Sequence, residues 1–419
     1  MNIHFVLVLV VWWFITFFFT VSFLVFLRER KDMNSIQEPF EGKPFVSIVV
    51  PAFNEEKGIG DTIESLLNTN YPRELLEVIV VNDGSKDNTA QVVQPYADKG
   101  LVKFINNKAN QGKAASLNQG FREAKGKYVA CIDADTVVEP GIIQKTINYF
   151  KDESIAAVMV RVQVREPKNW LERIISVEYS LGLGFYPKLI SALNSLYLTP
   201  GQFSIYRRKV VIELGGFDSR SIVEDTEIAY RMQKAKWRIA CCLAASAYTK
   251  VPNNVKDFYY QRKRWYSGTL QTILTHRDVF FNRSLGNFGM FFMPVNYGGI
   301  MLGLLLFLST IYLMLVSFES FISRMALVDF DPQSIINIYL SNFNLDPFKL
   351  SLFFFLGITP FAMNMVGSYI GLKTVGERVR ENLFGYVSFL FFFIPYQILW
   401  LLCVYFVLFR REVKWRALM

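Results

Sequence analysis

The chain has 419 residues, long enough for two or three domains, with 52% hydrophobic and 16% aromatic side chains and a formal net charge of +9. So apolar an average excludes an ordinary soluble protein. Positive charge beside apolar runs suits anionic lipid headgroups, and with no recognition helix or zinc-ligand spacing it does not argue for nucleic acid.

Residues 3–27 contain no Asp, Glu, Lys or Arg, and as a helix they are long enough to cross about 30 Å of hydrocarbon. With no basic stretch before them and no small-residue cleavage site before Arg28, they read as a retained anchor over residues 1–28 rather than a cleaved signal. Arg28, Arg30 and Lys31 follow, which by the positive-inside rule puts the next 250 or so residues in the cytoplasm.

From Phe45 to about Lys250, short β-branched runs alternate with helical stretches, the pattern of βαβ units and a mostly parallel sheet. Strands are predicted at 46–50, 77–82, 102–105, 128–132 and 155–161, with helices such as Glu56–Asn68 and Lys113–Ala124 between them. The fold class expected for 45–250 is therefore α/β. The first strand ends in PAFNEE (Pro51, Asn54, Glu55), the second in NDGS (Asp83) and the fourth in DAD. Open α/β sheets bind nucleotides at such carboxyl ends. Neither a P-loop nor a GxGxxG fingerprint is present, so a nucleotide must be held another way.

Asp133 and Asp135 flank Ala134 after an apolar strand, so alternation turns both carboxylates the same way. Two hard oxygen ligands suit Mg²⁺ or Mn²⁺ on a diphosphate, although strand-ending acids also serve as helix caps and turn residues. Asp83 can accept from a base or ribose, and NDGS is equally an ordinary turn. Lys113, in NQGKAASLN, opens a helix where a cation and free N–H groups suit a phosphate; a solvated lysine is the plain alternative. Glu224–Asp225 follow a Gly215–Gly216–Phe217 turn and are either dipole-complementing caps or, for one of them, a base that deprotonates an acceptor hydroxyl. Arg161 and Arg165 after the fifth strand read as a solvated strand edge.

Residues 251–288 form an aromatic and basic segment centred on QRKRW, with Gln261, Arg264 and Trp265 three and four residues apart on a helix. It has the composition of a helix lying in a membrane interface; functionally, an arginine there can hold a diphosphate and an indole can stack on a sugar. Residues 289–419 hold three more apolar stretches, at 289–317, 350–372 and 384–409, with a bend expected at Pro294 or Gly298–Gly299 or one stretch lying in the interface. The 318–349 connection is acidic and reads outside; Lys373, Arg378 and Arg380 read inside. Four crossings from an outside N-terminus would leave Arg410, Arg411, Lys414 and Arg416 outside, against the same rule. Cys131, Cys241, Cys242 and Cys403 sit in apolar runs without metal-ligand spacing, so no disulfide framework is expected.

Taken together and in this order, PAFNEE, Asp83 in NDGS, NQGKAASLN, Asp133–Ala134–Asp135, Pro200–Gly201–Gln202, Glu224–Asp225 and Gln261-x-x-Arg264–Trp265 resemble the family 2 inverting glycosyltransferases, specifically the membrane-integrated processive branch that includes cellulose, hyaluronan, chitin and poly-N-acetylglucosamine synthases. The resemblance covers about residues 45–270. It implies a GT-A, Rossmann-like cytoplasmic domain beside an α-helical transmembrane domain with amphipathic interface helices. It further implies a UDP-sugar donor, UDP-N-acetylglucosamine or a related hexose, a growing β-linked polysaccharide as acceptor, and Mg²⁺ or Mn²⁺ as cofactor.

By that resemblance Pro51, Asn54, Glu55, Asp83, Lys113 and Asp133 serve the nucleotide-sugar, Asp135 with Asp133 the metal, and Asp225 with Glu224 catalysis, Asp225 being the base. Gln261, Arg264, Trp265, Gly201 and Gln202 serve the diphosphate and acceptor. A single N-terminal span and no long domain after the last one favour the poly-N-acetylglucosamine or hyaluronan-like group, with an accessory subunit or a second copy left open for enclosing a channel. The competing readings are a single-transfer enzyme acting on a membrane lipid such as ceramide or a polyprenyl carrier, and a non-catalytic membrane scaffold.

Overall fold

In the computed structural model, which describes residues 3–40, 42–341 and 347–408, the chain divides into two compact units. One comprises Leu24–Pro294 with the segment from Ser368 onward; the other comprises residues up to Phe23 with Val295–Gly367.

The larger unit is built on an eight-stranded mixed sheet in the order β3-β2-β1-β4-β7-β6-β8-β5. Its strands are β1 (Val46–Ala52), β2 (Leu76–Asn82), β3 (Lys103–Asn106), β4 (Tyr128–Cys131), β5 (Thr136–Val138), β6 (Ile155–Val164), β7 (Ser204–Arg207) and β8 (Arg238–Thr249). β3, β2, β1 and β4 run parallel, with Val46 opposite both Leu76 and Tyr128. Residues 46–50 of β1 are buried, as a strand covered on both faces requires. Ile48, Val50, Val78, Val80 and Ala130 pack with Ile59, Ile63 and Leu66 of the Ile59–Leu67 helix into the main core.

The other half departs from the parallel pattern. β7 is antiparallel to β4 and β6, and β5 is antiparallel to β8. The five predicted strands are present within two or three residues of their expected ends, whereas β5, β7 and β8 were not predicted. β5 and β7 have three and four residues, too short to display alternation, and β8 reads ACCLAASA, small side chains without a β-branched run. Arg161 is not at a solvated edge: its guanidinium donates to Ser246 Oγ at 2.9 Å and to the Val375 carbonyl. Arg165 pairs with Asp61 at 2.8 Å.

Among the described residues, three helices are each long and apolar enough to cross a membrane: Ile3–Glu29, Phe288–Leu327 and Phe354–Thr374. The last apolar stretch is two helices, Leu383–Phe391 and Phe393–Leu408, bent by 51°, which together are apolar enough to make a broken fourth span. Pro395 opens the second helix in its first turn, where a missing N–H does no harm, and the first helix stops just before it. Conversely, no break occurs at Gly298–Gly299: Met293–Leu327 is one helix with Pro294 in its first turn, after a π turn at Phe288–Phe292. The tail residues Arg410, Arg411, Lys414 and Arg416 lie outside the described residues. All four cysteines are unpaired and buried.

In the smaller unit, close helix packing rests on glycine. A Cβ at Gly299 would come within 2.6 Å of the Phe14 ring, and one at Gly367 within 2.9 Å of Phe19. His4 Nδ1 lies 3.0 Å from Ser309 Oγ.

Candidate active site

The carboxyl ends of β1, β2 and β4 carry three loops that lock one another. Asn54, held at φ 57°, donates its N–H to Ser85 Oγ (2.9 Å) and accepts from the Lys86 N–H through Oδ1 (2.9 Å). The Glu55 N–H donates to Thr89 Oγ1 at 2.8 Å, so PAFNEE and NDGS are stitched together. Pro51, opposite Val81, lies beyond the last residue pair that joins β1 to β4, where no ladder N–H is missed.

Asp83 is buried, and its two oxygens accept the N–H groups of Gln111 (2.9 Å) and Gly112 (2.8 Å). It thereby holds the loop that delivers Lys113 at the start of the Lys113–Glu123 helix. Gly84 at φ 69° passes against the same loop, where a Cβ would come within 2.6 Å of the Ala109 backbone.

DAD is fixed from two sides. Thr62 Oγ1 donates to the Ala134 carbonyl (2.8 Å), and the pairing of Thr136 with Thr249 brings the Thr249 hydroxyl 3.4 Å from Asp135 Oδ1. Burial and the Asp133 charge push Asp135 up to about 6. Burial, then the charges of Asp135, Asp133 and Asp87, push Glu55 up to about 8. Burial and like charge both disfavour the ionised form, and the lowering effect of Lys250 on Glu55 and of Lys113 on Asp135 does not offset them.

Among the described residues no three His, Cys, Asp or Glu side chains converge into a ready-made metal cluster. The chemistry nevertheless fits Mg²⁺ or Mn²⁺ in company with a ligand: Asp133 and Asp135 offer hard oxygens, mutual repulsion among the acids favours a dication, and a diphosphate would supply the remaining oxygens.

Lys113 is the hub of the neighbouring cluster. Its Nζ lies 2.6 Å from Asp133 Oδ1 and 3.0 Å from Glu224 Oε1, so its ammonium is engaged with carboxylates on two separate motifs. Burial alone would lower its pKa, but Asp133, Glu224 and Asp225 outweigh that and hold it well above the usual lysine range. Gly201 forms the wall here. A Cβ on it would sit 2.4 Å from Lys113 Nζ and 2.9 Å from Asp133 Oδ1, so any side chain here would displace the Lys113–Asp133 pair. Gln202 follows it, and Thr199 in the same loop donates to the Asp225 carbonyl at 2.8 Å.

Glu224 and Asp225 open the Glu224–Lys234 helix. Asp225 Oδ1 accepts the Thr226 N–H at 2.7 Å, while burial and the Glu224 charge push Asp225 up to about 6 against the lowering effect of Lys113 and Arg264. Asn118, from NQGKAASLN, pins the turn before this helix by accepting the Phe217 N–H (2.7 Å) and donating to the Phe217 carbonyl (2.8 Å).

The Val255–Thr275 helix carrying QRKRW starts at an Asn254 cap and is pressed onto Val223, one residue before Glu224, by Gly268, whose Cβ would meet the valine at 2.6 Å. Its far end is tied back to the Glu224–Lys234 helix through His276 Nε2 and Glu227 Oε1, 3.2 Å apart, with Arg231 bridging to the same carboxylate at 2.6 Å. This seating brings the Arg264 charge to bear on Asp225. The Trp265 ring lies 6.2 Å from that of Tyr179, on the Trp170–Ser180 helix.

Asn118, Thr199, Glu227 and His276 were not singled out from sequence. Only Asn118, inside an already suspicious motif, carried a usable signal.

A glycosyl transferase family 2 model matches residues 47–215. The chain is 28% identical over 280 residues to a poly-beta-1,6-N-acetyl-D-glucosamine synthase of Staphylococcus aureus, strain COL, covering 67% of this chain and 66% of that protein, just under two thirds of its length. It is 28% identical over 252 residues to the synthase of the same name from Staphylococcus epidermidis, covering 59% of this chain and 61% of the other.

A mannosyltransferase from Pyrobaculum calidifontis, solved in complex with GDP-Man and Mn²⁺, superposes over 97% of this chain and 100% of its own with a TM-score of 0.59 and 16% identity, a likeness of fold. The family match ends before Glu224, so the acid pair and QRKRW lie outside it and their assembly with DAD is a feature of this tertiary structure.

Proposed function

We propose that this protein is an inverting glycosyltransferase that moves a sugar from a UDP-sugar, UDP-N-acetylglucosamine or a related hexose, to the nonreducing end of a growing β-linked polysaccharide in the membrane. The observation that carries this reading is the Lys113 bridge, which joins Asp133 of the donor-side acids to Glu224 of the acid pair. It sets a diphosphate-binding edge and a candidate base side by side. The 28% identity to poly-beta-1,6-N-acetyl-D-glucosamine synthases supports the donor and product class.

In this mechanism Asp225 takes the proton of an acceptor hydroxyl as its oxygen forms a bond to the anomeric carbon of the donor. The bond from that carbon to the diphosphate oxygen breaks on the opposite side, inverting α to β, and UDP departs. Arg264 and Gln261 receive the charge that builds on the diphosphate, and Trp265 offers a flat apolar face to the acceptor sugar. Lys113 is paired with Glu224 at 3.0 Å, which leaves Asp225 as the carboxylate that takes the proton. Asp133 and Asp135 would hold Mg²⁺ or Mn²⁺, whose contribution is to neutralise the diphosphate.

Three crossings rather than four reconcile the charges along the chain. From an outside N-terminus, helices Ile3–Glu29, Phe288–Leu327 and Phe354–Thr374 return the chain to the cytoplasm at Lys373. The bent pair then lies against the catalytic unit: Asn382 donates to the Arg173 carbonyl (2.9 Å), and Trp400 stacks on Tyr266 at 4.5 Å. The basic tail stays inside, as the positive-inside rule asks.

The function is tested by incubating the detergent-solubilised full chain with a panel of UDP-sugars and Mn²⁺ or Mg²⁺, following UDP release and product length, with Asp225→Asn as the blank. A polymer from one donor, absent in the variant, is the expected result. One sugar transferred to an added lipid would replace polymer synthesis by single transfer, and no UDP release from any donor would remove the enzyme reading.

A further inference from the structure

One charge is left over by the mechanism above, and it is the most deeply buried arginine of the active-site helix. Arg262, the second letter of QRKRW, is 0% exposed. Its Nη2 donates to Glu178 Oε2 at 2.6 Å and its Nη1 to Gln261 Oε1 at 3.0 Å. The guanidinium carbon lies 4.3 Å from the centroid of the Trp265 ring and 4.8 Å from that of Phe258. Glu178 is shared: the Tyr396 hydroxyl, from the second helix of the bent C-terminal pair, donates to the same Oε2 at 2.6 Å.

A guanidinium with no solvent contact is stable only where its surroundings supply charge and stacking, and this one has a carboxylate on one side and an indole on the other. The planar fork satisfies both at once, which a lysine ammonium cannot do.

The geometry points to Arg262 as a positioning residue: it fixes the side chains of Gln261 and Trp265, and through Glu178 and Tyr396 it makes their placement depend on the C-terminal helix pair. Arg262 is too deeply buried to touch a donor or acceptor itself. It holds the Gln261 carbonyl oxygen, which sets the direction of that amide, and it stacks on the Trp265 ring, which sets the plane of the indole. The inference rests on the proposed transferase reading, in which Trp265 meets the acceptor.

The test is a mutant cycle on the full chain in detergent, measuring product formation from UDP-N-acetylglucosamine and Mn²⁺, or from whichever UDP-sugar the donor panel selects. Trp265→Ala and Arg262→Met are each expected to lower transfer by about tenfold or more, and Arg262→Met to add nothing to a variant that already lacks both partners, Gln261→Ala with Trp265→Ala, because residues acting through one another are not additive. Tyr396→Phe, a milder change that guards against misfolding at Arg262, is expected to lower transfer about threefold in the wild-type background and not at all on the Gln261→Ala, Trp265→Ala pair.

If Arg262→Met or Tyr396→Phe costs as much on that pair as on the wild type, Arg262 acts independently of Gln261 and Trp265 and the inference is overturned while the transferase reading stands. If the wild type transfers no sugar from any donor, or Trp265→Ala transfers normally, the transferase reading of this helix fails and the inference fails with it.

Discussion

The two acidic clusters of the catalytic unit sit within one loop of each other and are neutralised in opposite ways. Around Asp133 and Glu224 the protein brings its own cation, Lys113, held at 2.6 and 3.0 Å. Around Glu55 and Asp135, burial first and the neighbouring carboxylates second push the carboxyls up to about 8 and about 6. The first cluster is a finished electrostatic object. The second is one that a ligand with a dication would complete, and the difference separates a part of the site that is built on folding from a part that is built on binding.

The comparison breaks most visibly at Asp225. Asp225→Asn keeps the shape of the self-neutralised cluster and removes the carboxylate proposed as the base, and kcat for sugar transfer is expected to fall by about 10²- to 10⁴-fold. Donor binding, read by titration with UDP, should change little.

At the other cluster, Asp135→Asn removes charge from the crowded acids. The expected outcome is loss of most Mn²⁺ stimulation of transfer, with thermal stability equal to or above wild type, because a buried carboxylate relieved of like charge no longer strains the fold. A variant as metal-stimulated as the parent would place the cation elsewhere.

Lys113→Met tests the opposite claim. Removing the cation strands Asp133 and Glu224 partly buried without a partner and is expected to cost about 3 kcal/mol of stability. In a domain of this size that should appear as a fall of several degrees in Tm.

The pH dependence follows from Asp225. A base raised to about 6 is charged above that value and protonated below it, so kcat/KM should be flat from pH 8 to about 7 and fall about tenfold per pH unit well below 6. A flat profile down to pH 5 would remove Asp225 as the base.

The smallest effect concerns orientation: a cysteine introduced in the tail as Ala417→Cys should leave activity unchanged. It should react with a membrane-impermeant maleimide only after the cells are opened. Labelling of intact cells would restore a fourth crossing.

How much of this was legible beforehand follows a physical line. β1, β2 and β4 announce themselves because a parallel strand buried on both faces must be a continuous apolar run, and its polar carboxyl end stands out against it. Asp83, Asp133 and Asp135 were therefore readable as residues at the ends of strands. That Asp83 spends both oxygens on the Gln111 and Gly112 N–H groups was not, because a backbone donor leaves no trace in side-chain chemistry.

The long apolar helices were legible for the same reason as the strands, namely that hydrocarbon tolerates no unpaired charge over its thickness. Whether the last one crosses was not, since a bend of 51° depends on what the helix packs against. Local chemistry written along the chain thus determined the sheet core, the spans and the candidate acids. Only the tertiary structure decided which acids share a cation and that Arg262 is buried between Glu178 and Trp265, because Lys113 and Glu224, or Glu178 and Arg262, stand 111 and 84 positions apart and meet only once the sheet and its helices have closed.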